Sequence, residues 1–73
     1  MLGEPTLTEL VRRALAEADR WEVHALMRHV GYNPGSPAEV NLTARTLRFL
    51  RRCGELRCAD PVKLSTVIEA GSP

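Results

Sequence analysis

TARTLRFLRRCGELRC, residues 43–58, is the segment of the chain that says most about its architecture. It holds five of the chain's nine arginines and both of its cysteines. Leucines recur in it at helical spacing as far as Gly54, and the short alternating segment ELRC follows that glycine. Because glycine commonly terminates helices and alternation favours strands, this order predicts a basic helix that leads into a short β-strand.

The size and composition of the chain predict one small domain over residues 1–73, with an ordered core at about 6–68 and short flexible tails. Its hydrophobic content of 44% is that of an ordinary globular domain. No apolar run approaches the roughly 20 residues that span a bilayer, and the first residues lack a signal-peptide pattern. We expect a cytoplasmic protein with no membrane association and no cofactor. An enzyme is not expected, because no phosphate-binding loop, nucleophile elbow or paired-carboxylate motif is present.

Positive charge is concentrated in one segment of the chain. Residues 45–57 carry five arginines against Glu55, a net charge of +4. Residues 1–44 have a net charge of −2 and residues 58–73 of −1, which leaves +1 overall. Clustered cations are the usual electrostatic feature of a polyanion-binding site. A solvated helix face produces the same pattern and stays open as the alternative.

Two helices are predicted before the basic one. In PTLTELVRRALAEAD, residues 5–19, Thr6 and Glu9 have capping-box spacing, and apolar residues follow on one face. In DRWEVHALMRHVGYNPG, residues 19–35, Asp19 and Glu22 repeat that spacing, and Gly31 is the expected stop. Trp21 is predicted to hold these two elements together rather than to stack on a ligand.

The third helix is predicted over SPAEVNLTARTLRFLRRCG, residues 36–54. Ser36 is its expected cap, Pro37 takes the first helical position and Glu39 completes a capping box. One side of this helix is apolar and the opposite side carries a polar stripe, formed by Asn41, Arg45, Arg48 and Arg52. Arg51 falls at the edge of the apolar side. Leu42 and Phe49 flank the stripe.

The residues after Gly54 predict a β-hairpin. ELRC is a short alternating strand, ADP reads as a tight turn, and VKLSTVI (residues 62–68) alternates apolar and polar residues as a second strand. A fourth helix that starts after Asp60 and Pro61 is the alternative for residues 62–68. The last residues, EAGSP, are expected to form a frayed tail.

Three helices and a C-terminal hairpin, with the third helix basic and ended by glycine, resemble the winged helix-turn-helix family. In ALMRHVG, residues 25–31, the apolar residues lie five, four and one before the glycine, as in the family's second helix. In LRFLRRCGEL, residues 47–56, leucines lie seven and four before the glycine and one follows it, which is similar to a recognition helix that runs into its wing. The resemblance covers residues 6–68 and implies an α+β, mainly α fold: three helices with a C-terminal wing.

This resemblance implies a small bacterial or phage transcription regulator, such as a repressor, that binds double-stranded DNA through the major groove. Arg45 and Arg48 are then candidates for base edges, with Asn41 and Thr46 beside them. The candidates for phosphate contacts are Arg51, Arg52, Arg57 and Lys63. The span from Gly31 to Leu47 is longer than the family's tight turn, so either the turn is extended or the third helix gains an N-terminal turn. A homodimer is a further expectation, because a core this small supplies only about 3–5 kcal/mol.

A module that binds protein is the alternative function. The near-neutral total charge, the acidic turn and the apolar Leu42 and Phe49 favour it, with RNA polymerase or another transcription protein as the partner. A zinc site from the two histidines and two cysteines is disfavoured, because His24 and His29 diverge on one helix. We therefore predict no metal site.

Overall fold

A computed structural model describes residues 5–71 of the chain. Within these residues it contains, in chain order, α1 (Leu7–Glu17), β1 (Arg20–Glu22), α2 (Val23–Val30), α3 (Pro37–Arg52), β2 (Leu56–Arg57) and β3 (Val67–Ala70). The strands form one antiparallel sheet in the order β1-β3-β2. The fold is therefore α+β and mainly helical, as the sequence predicts. The predicted flexible tails fall in part on residues 1–4 and 72–73, which lie outside the described residues.

The two helices with the clearest capping signals begin where the sequence predicts. The Thr6 hydroxyl accepts the Glu9 backbone N–H at 3.3 Å at the start of α1. The Ser36 hydroxyl accepts the Glu39 N–H at 3.4 Å at the start of α3, with Pro37 at its first position. The Glu39 side chain does not complete the predicted box, since its carboxylate accepts the backbone N–H of Asn33 at 3.0 Å instead.

The start of α2 corrects the sequence-based prediction. The segment 20–22, predicted as the beginning of a helix, is β1 and pairs with β3. Helix α2 begins at Val23, and the Glu22 side chain makes no capping hydrogen bond. The N–H groups of Val23 and His24 donate to the carbonyl oxygens of Thr66 and Leu64, at 2.9 and 3.0 Å. A distant loop caps this helix, so a local capping box is not needed.

The two C-terminal strands pair antiparallel as predicted, but the predicted tight turn at ADP is wrong and the second strand starts later. Leu56 pairs with Ala70 and Arg57 with Glu69. Residues 62–66, predicted as strand, belong to a nine-residue loop (residues 58–66), and a fourth helix is absent from residues 5–71. Asp60 explains why β3 begins only at Val67. Its carbonyl oxygen accepts the Lys63 N–H and the Thr66 hydroxyl, and these hydrogen bonds fold the intervening chain into turns. Strand β3 continues to Ala70, so the ordered core extends beyond the predicted limit at 68.

The core lies between the inner faces of the helices and one face of the sheet. Its largest fully buried side chains include Leu26, Met27, Leu47, Leu50 and Ile68. Trp21 lies in β1 and not at the start of α2, and its indole N–H donates to the carbonyl oxygens of Ala14 and Ala18 at the end of α1, at 2.9 and 2.8 Å. Its ring also packs on His29 of α2, so it holds the first two helices together as predicted, but from a strand. None of the helices in residues 5–71 has both the length and the apolar character needed to span a membrane.

Candidate functional site

The outer surface of α3 is the candidate site, and the buried surface of the same helix fixes its direction. Thr43, Ala44, Leu47 and Leu50 are buried against the core. In a helical projection with about 100° per residue, the mean direction of these four side chains points into the core. The opposite, outward direction lies within about 10° of Arg45 and within about 30° of Phe49 and Arg52. These three side chains therefore point most directly away from the protein. Asn41, Leu42 and Arg48 lie further towards the edges of this surface, and all three are exposed.

The cations at the centre of this surface have no acidic neighbours. Neither Arg45 nor Arg52 has a carboxylate oxygen within 4.0 Å among residues 5–71. From Val40 to Arg52 the helix contains no acidic residue at all. Because no partner within residues 5–71 holds these guanidinium groups, their donors are available to an external ligand. The predicted stripe is thus exposed in the structure, and Arg45 is its member closest to the centre of the outer surface.

Two other arginines of α3 contact the loop of residues 58–66. A terminal guanidinium nitrogen of Arg48 lies 3.7 Å from the Asp60 carboxylate. Arg51 donates to the carbonyl oxygen of Ala59 at 2.8 Å and more weakly to that of Cys58 at 3.4 Å. Arg51 therefore holds the loop beside α3, whereas Arg48 lies at the boundary between the two.

The loop of residues 58–66 is held at both ends. The Asp60 carboxylate accepts the Val62 N–H at 3.1 Å and its carbonyl oxygen accepts the Thr66 hydroxyl at 2.7 Å. Pro61 is buried, and the later part of the loop caps α2 as described above. Lys63 is exposed and has no acidic partner within 4.0 Å in the described part of the chain. The loop thus presents Lys63 to solvent, three residues after the Asp60 carboxylate that lies beside Arg48.

Arg57 belongs to a different surface from the stripe. In the register of the sheet, Arg20 and Arg57 both lie directly opposite Glu69, one on each side of it. Each guanidinium group has a nitrogen 3.9 Å from a Glu69 carboxylate oxygen. Arg57 is thus part of a cross-strand charge group on the sheet, and the structure does not bring it together with Arg45.

The C-terminal end of α3 is fixed by two independent contacts. Gly54 has φ +80°, and the N–H groups of Gly54 and Glu55 donate to the carbonyl oxygens of Arg51 and Leu50, as in a Schellman motif. The Glu55 carboxylate then accepts two hydrogen bonds from Arg12 of α1, at 2.7 and 2.9 Å. These hydrogen bonds lower the pKa of Glu55 below its ordinary value. They tie the end of α3 to α1 and so set the angle at which the basic surface is presented.

The cysteines and histidines do not form a common site. No group of three or more His, Cys, Asp or Glu side chains that could hold a metal ion occurs within residues 5–71. The His29 ring packs on Trp21 with centroids 4.7 Å apart and lies 3.5 Å from the Glu17 carboxylate. Both cysteines are free thiols, and burial raises the pKa of Cys58. A thiol with a raised pKa is a weak nucleophile at neutral pH, so the environment of Cys58 does not activate it for covalent chemistry.

One residue with a direct effect on the site is missed by sequence-based reasoning. The sequence marks Asp60 only as part of an acidic turn, but its carboxylate faces Arg48 at the edge of the basic surface. Its position next to the proline is the available signal, since Asp-Pro commonly starts a turn. The ion pair across the loop depends on tertiary packing and has no local signal.

Comparison of the chain with protein-family models, with characterised proteins and with solved structures finds no match.

Proposed function

We propose that this chain is a winged-helix domain that binds double-stranded DNA by placing α3 in the major groove. The order of elements supports the fold assignment: a basic third helix ends at Gly54 and is followed by a pair of antiparallel strands joined by a loop. In a winged helix that loop is the wing. The B-DNA major groove is wide enough to admit an α-helix, and the outer surface of α3 is the side of that helix directed away from the core.

The main support for this proposal is the positive charge of Arg45 and Arg52 at the centre of this surface, which no carboxylate within residues 5–71 compensates. Arg45 and Arg52 point away from the core on a helix with no acidic residue beyond Glu39. Arg13 and Arg28 also have no carboxylate oxygen within 4.0 Å among residues 5–71, but they lie on two different helices, whereas Arg45 and Arg52 share one side of α3. Arginine's planar fork fits both guanine edges and phosphate oxygens, so the outer surface of α3 matches the chemistry of duplex DNA.

Each cation of the site then has a role set by its position. Arg45, at the centre, reads base edges, with Asn41 and Thr46 on either side of it. Arg52, Arg48 and Lys63 contact phosphates, which gives affinity without sequence information. Arg51 holds the wing through its bonds to Ala59 and Cys58, so we assign it a positioning role in place of a phosphate contact.

The biological role that fits a domain of this size is a small transcription regulator of the bacterial or phage type, such as a repressor. A few phosphate contacts from one small domain give weak, salt-sensitive binding. A homodimer that binds two half-sites would raise the affinity. This dimer is part of the proposal.

The proposal is tested by measuring, with fluorescence anisotropy, how tightly the domain binds a short random-sequence duplex at increasing salt concentrations. We expect the logarithm of the association constant to fall linearly with the logarithm of the salt concentration, by about 0.9 for each neutralised phosphate. The Arg45→Gln/Arg52→Gln double variant should bind more weakly, with a salt slope smaller by about one to two units.

The matched control is Arg13→Gln/Arg28→Gln, which removes the same charge from exposed positions on α1 and α2. It should retain most of the affinity and the original slope. Equal losses in the two double variants would mean that binding follows total charge alone, and the assignment of α3 would then be wrong.

A protein-binding module is the second candidate, and the exposure of Leu42 and Phe49 on α3 favours it. The arginines beside them would then pair with an acidic partner and set the register of the complex. RNA polymerase or another transcription protein is the kind of partner that this function implies. Stoichiometric recovery of such a protein by the purified domain, with no DNA shift at low salt, would favour this function over DNA binding.

A further inference from the structure

Two large apolar side chains lie exposed on the surface of α3 that is directed away from the core. Phe49 is 51% exposed and Leu42 is 46% exposed. The other exposed large apolar side chains among residues 5–71 are Val62 in the loop and Val67 on the sheet, and both are less exposed than these two. A single exposed apolar residue needs no explanation. A pair on one helix face, within the candidate binding site, requires a ligand group that would cover it.

The two side chains are aligned along the helix. They are seven residues apart, which is about two turns, so they share one side of α3 at an axial separation of about 10 Å. Phe49 lies next to Arg45 and Arg52, about 40° and 60° away around the axis, and Leu42 lies about 60° from Arg45. The apolar pair is thus bordered by cations, with no carboxylate between Val40 and Arg52.

The charges beside the pair indicate what covers it. The cations Arg45, Arg48 and Arg52 all lie on one side of the pair around the helix axis. A surface of this kind fits a ligand that carries apolar groups beside anionic ones. In the major groove the only apolar group on the base edges is the thymine methyl group, and side chains such as phenylalanine contact it. For a helix that lies in the major groove, a separation of about 10 Å spans at most about three base pairs, since successive base pairs are at least about 3.4 Å apart. Both side chains therefore reach bases within one turn of DNA.

We propose that Phe49 and Leu42 contact thymine methyl groups and so make this domain select duplexes with thymines at two positions a few base pairs apart. The inference rests on the proposed function, since it names what the DNA-binding surface reads. Arg45, between the two apolar residues in the sequence, contacts the base edges between those thymines. Selectivity then comes from shape and apolar contact as well as from hydrogen bonds.

Replacement of thymine by uracil tests this directly, because uracil lacks only the methyl group and keeps every hydrogen-bonding atom. Duplexes are first selected from a random-sequence pool with the intact protein, and the best binders are then synthesised with uracil in place of every thymine. We expect the affinity to fall about fourfold for each methyl group that no longer meets an apolar side chain, the change that follows from burial of one methyl group. The salt slope should not change, because the phosphates are the same in both duplexes.

Protein variants assign the effect to the two side chains. Phe49→Ala and Leu42→Ala should each reduce the thymine-to-uracil affinity ratio, and the double variant should bring it close to one. Val67→Ala is the matched control, since it removes an exposed apolar side chain from the sheet and should leave the ratio at its original value. Because all three positions are exposed, far-UV circular dichroism should show the same helix content in every variant.

The outcomes separate this inference from the proposed function. Equal binding of thymine and uracil duplexes, with a normal salt slope, would overturn the thymine contact and leave DNA binding in place. Failure to bind any duplex at low salt would overturn the proposed function, and this inference with it. In that case, recovery of an acidic protein partner by the intact domain but not by the Phe49→Ala variant would identify the apolar pair as a protein contact.

Discussion

The two sides of α3 have opposite compositions and, under the proposed function, opposite tasks. Thr43, Ala44, Leu47 and Leu50 are almost fully removed from solvent, whereas Arg45 and Phe49 on the other side are exposed. The inner side contributes to stability through apolar burial, at roughly 25 cal/mol for each Å². The outer side contributes almost nothing to stability, since surface changes usually shift it by less than about 0.5 kcal/mol. Stability and binding in this domain can therefore be altered independently.

The buried Thr43 hydroxyl on the inner side of α3 keeps a hydrogen bond within the helix. The Thr43 hydroxyl, at 1% exposure, donates to the carbonyl oxygen of Glu39 at 2.9 Å. A buried polar group that keeps a hydrogen bond avoids most of the cost of desolvation. More generally, no buried side-chain nitrogen or oxygen in the described residues lacks a hydrogen-bond partner. Among the described residues, the inner side of α3 therefore offers no unsatisfied side-chain polar group to a ligand.

The largest expected effect comes from the inner side. Leu47→Ala should destabilise the domain by about 2–5 kcal/mol, because it leaves a cavity at a fully buried position. A domain of this size has only about 3–5 kcal/mol from its core, so the variant should be largely unfolded at room temperature. Urea denaturation followed by circular dichroism measures this. Phe49→Ala is the control from the outer side and should change the free energy of unfolding by less than about 0.5 kcal/mol. Similar losses in the two variants would refute the contrast between the two sides.

The second prediction compares an arginine at the centre of the outer side with one at its edge. Arg45→Gln should weaken DNA binding by about 1–3 kcal/mol and relax sequence preference, as expected for a base contact. Arg48→Gln should cost less, because Asp60 already compensates part of the Arg48 charge. Anisotropy titrations with the selected duplex and with a scrambled duplex measure both quantities. If Arg48→Gln lowers the affinity for DNA more than Arg45→Gln does, the base contact would have to be assigned to Arg48, at the edge of the outer surface.

Much of this contrast can be predicted from the sequence because it is local. The apolar period of α3 depends on residues three and four apart, and the stops at Gly31 and Gly54 follow from glycine's tolerance of positive φ, here +88° and +80°. The polar stripe is predictable for the same reason. The direction of Arg45 is a consequence of which leucines are buried.

The features that pattern reasoning does not predict depend on partners distant in sequence. Strand β1 is three residues long and has strand geometry only because it pairs with β3. Helix α2 has no local cap because carbonyl groups of residues 64 and 66 take that role. The ion pair between Arg48 and Asp60 joins residues that pattern reasoning treats separately. Such long-range contacts carry no periodic signal.

The third prediction concerns the start of α3, on which both of its sides depend. Ser36→Ala removes the hydroxyl that accepts the Glu39 N–H and should cost about 1 kcal/mol of stability. The affinity of the folded protein for DNA should stay the same, because the cap is distant from the outer surface. Ser65→Ala, at an exposed loop position, is the control and should have little effect. A fall in affinity with unchanged stability would show that Ser36 itself contacts the ligand.

A smaller effect is expected from the acid that faces the outer side. Asp60→Asn keeps the oxygen that accepts the Val62 N–H but removes the charge beside Arg48. Affinity for DNA should rise by about threefold, since an exposed ion pair is worth less than about 1 kcal/mol. Anisotropy at low and at high salt measures the change, which should shrink as salt increases. Weaker binding by Asp60→Asn would indicate that the carboxylate fixes the wing and does not oppose the DNA.

The smallest effect should be a pH-dependent one at the end of α3. Hydrogen bonds from Arg12 lower the pKa of Glu55 in the folded protein below the ordinary value of 4.5. A carboxylate with a depressed pKa stabilises the fold above its unfolded-state pKa, and this contribution disappears as the pH falls through the folded-state value. Glu55→Gln should therefore be less stable than the parent protein near neutral pH. The difference should begin to shrink as the pH falls below about 4.5, and it should vanish once the pH is below the folded-state pKa of Glu55. Urea denaturation at a series of pH values measures it. The same substitution in an Arg12→Gln background should show no such dependence, and a difference that persists at low pH would mean that Glu55 acts through packing instead of charge.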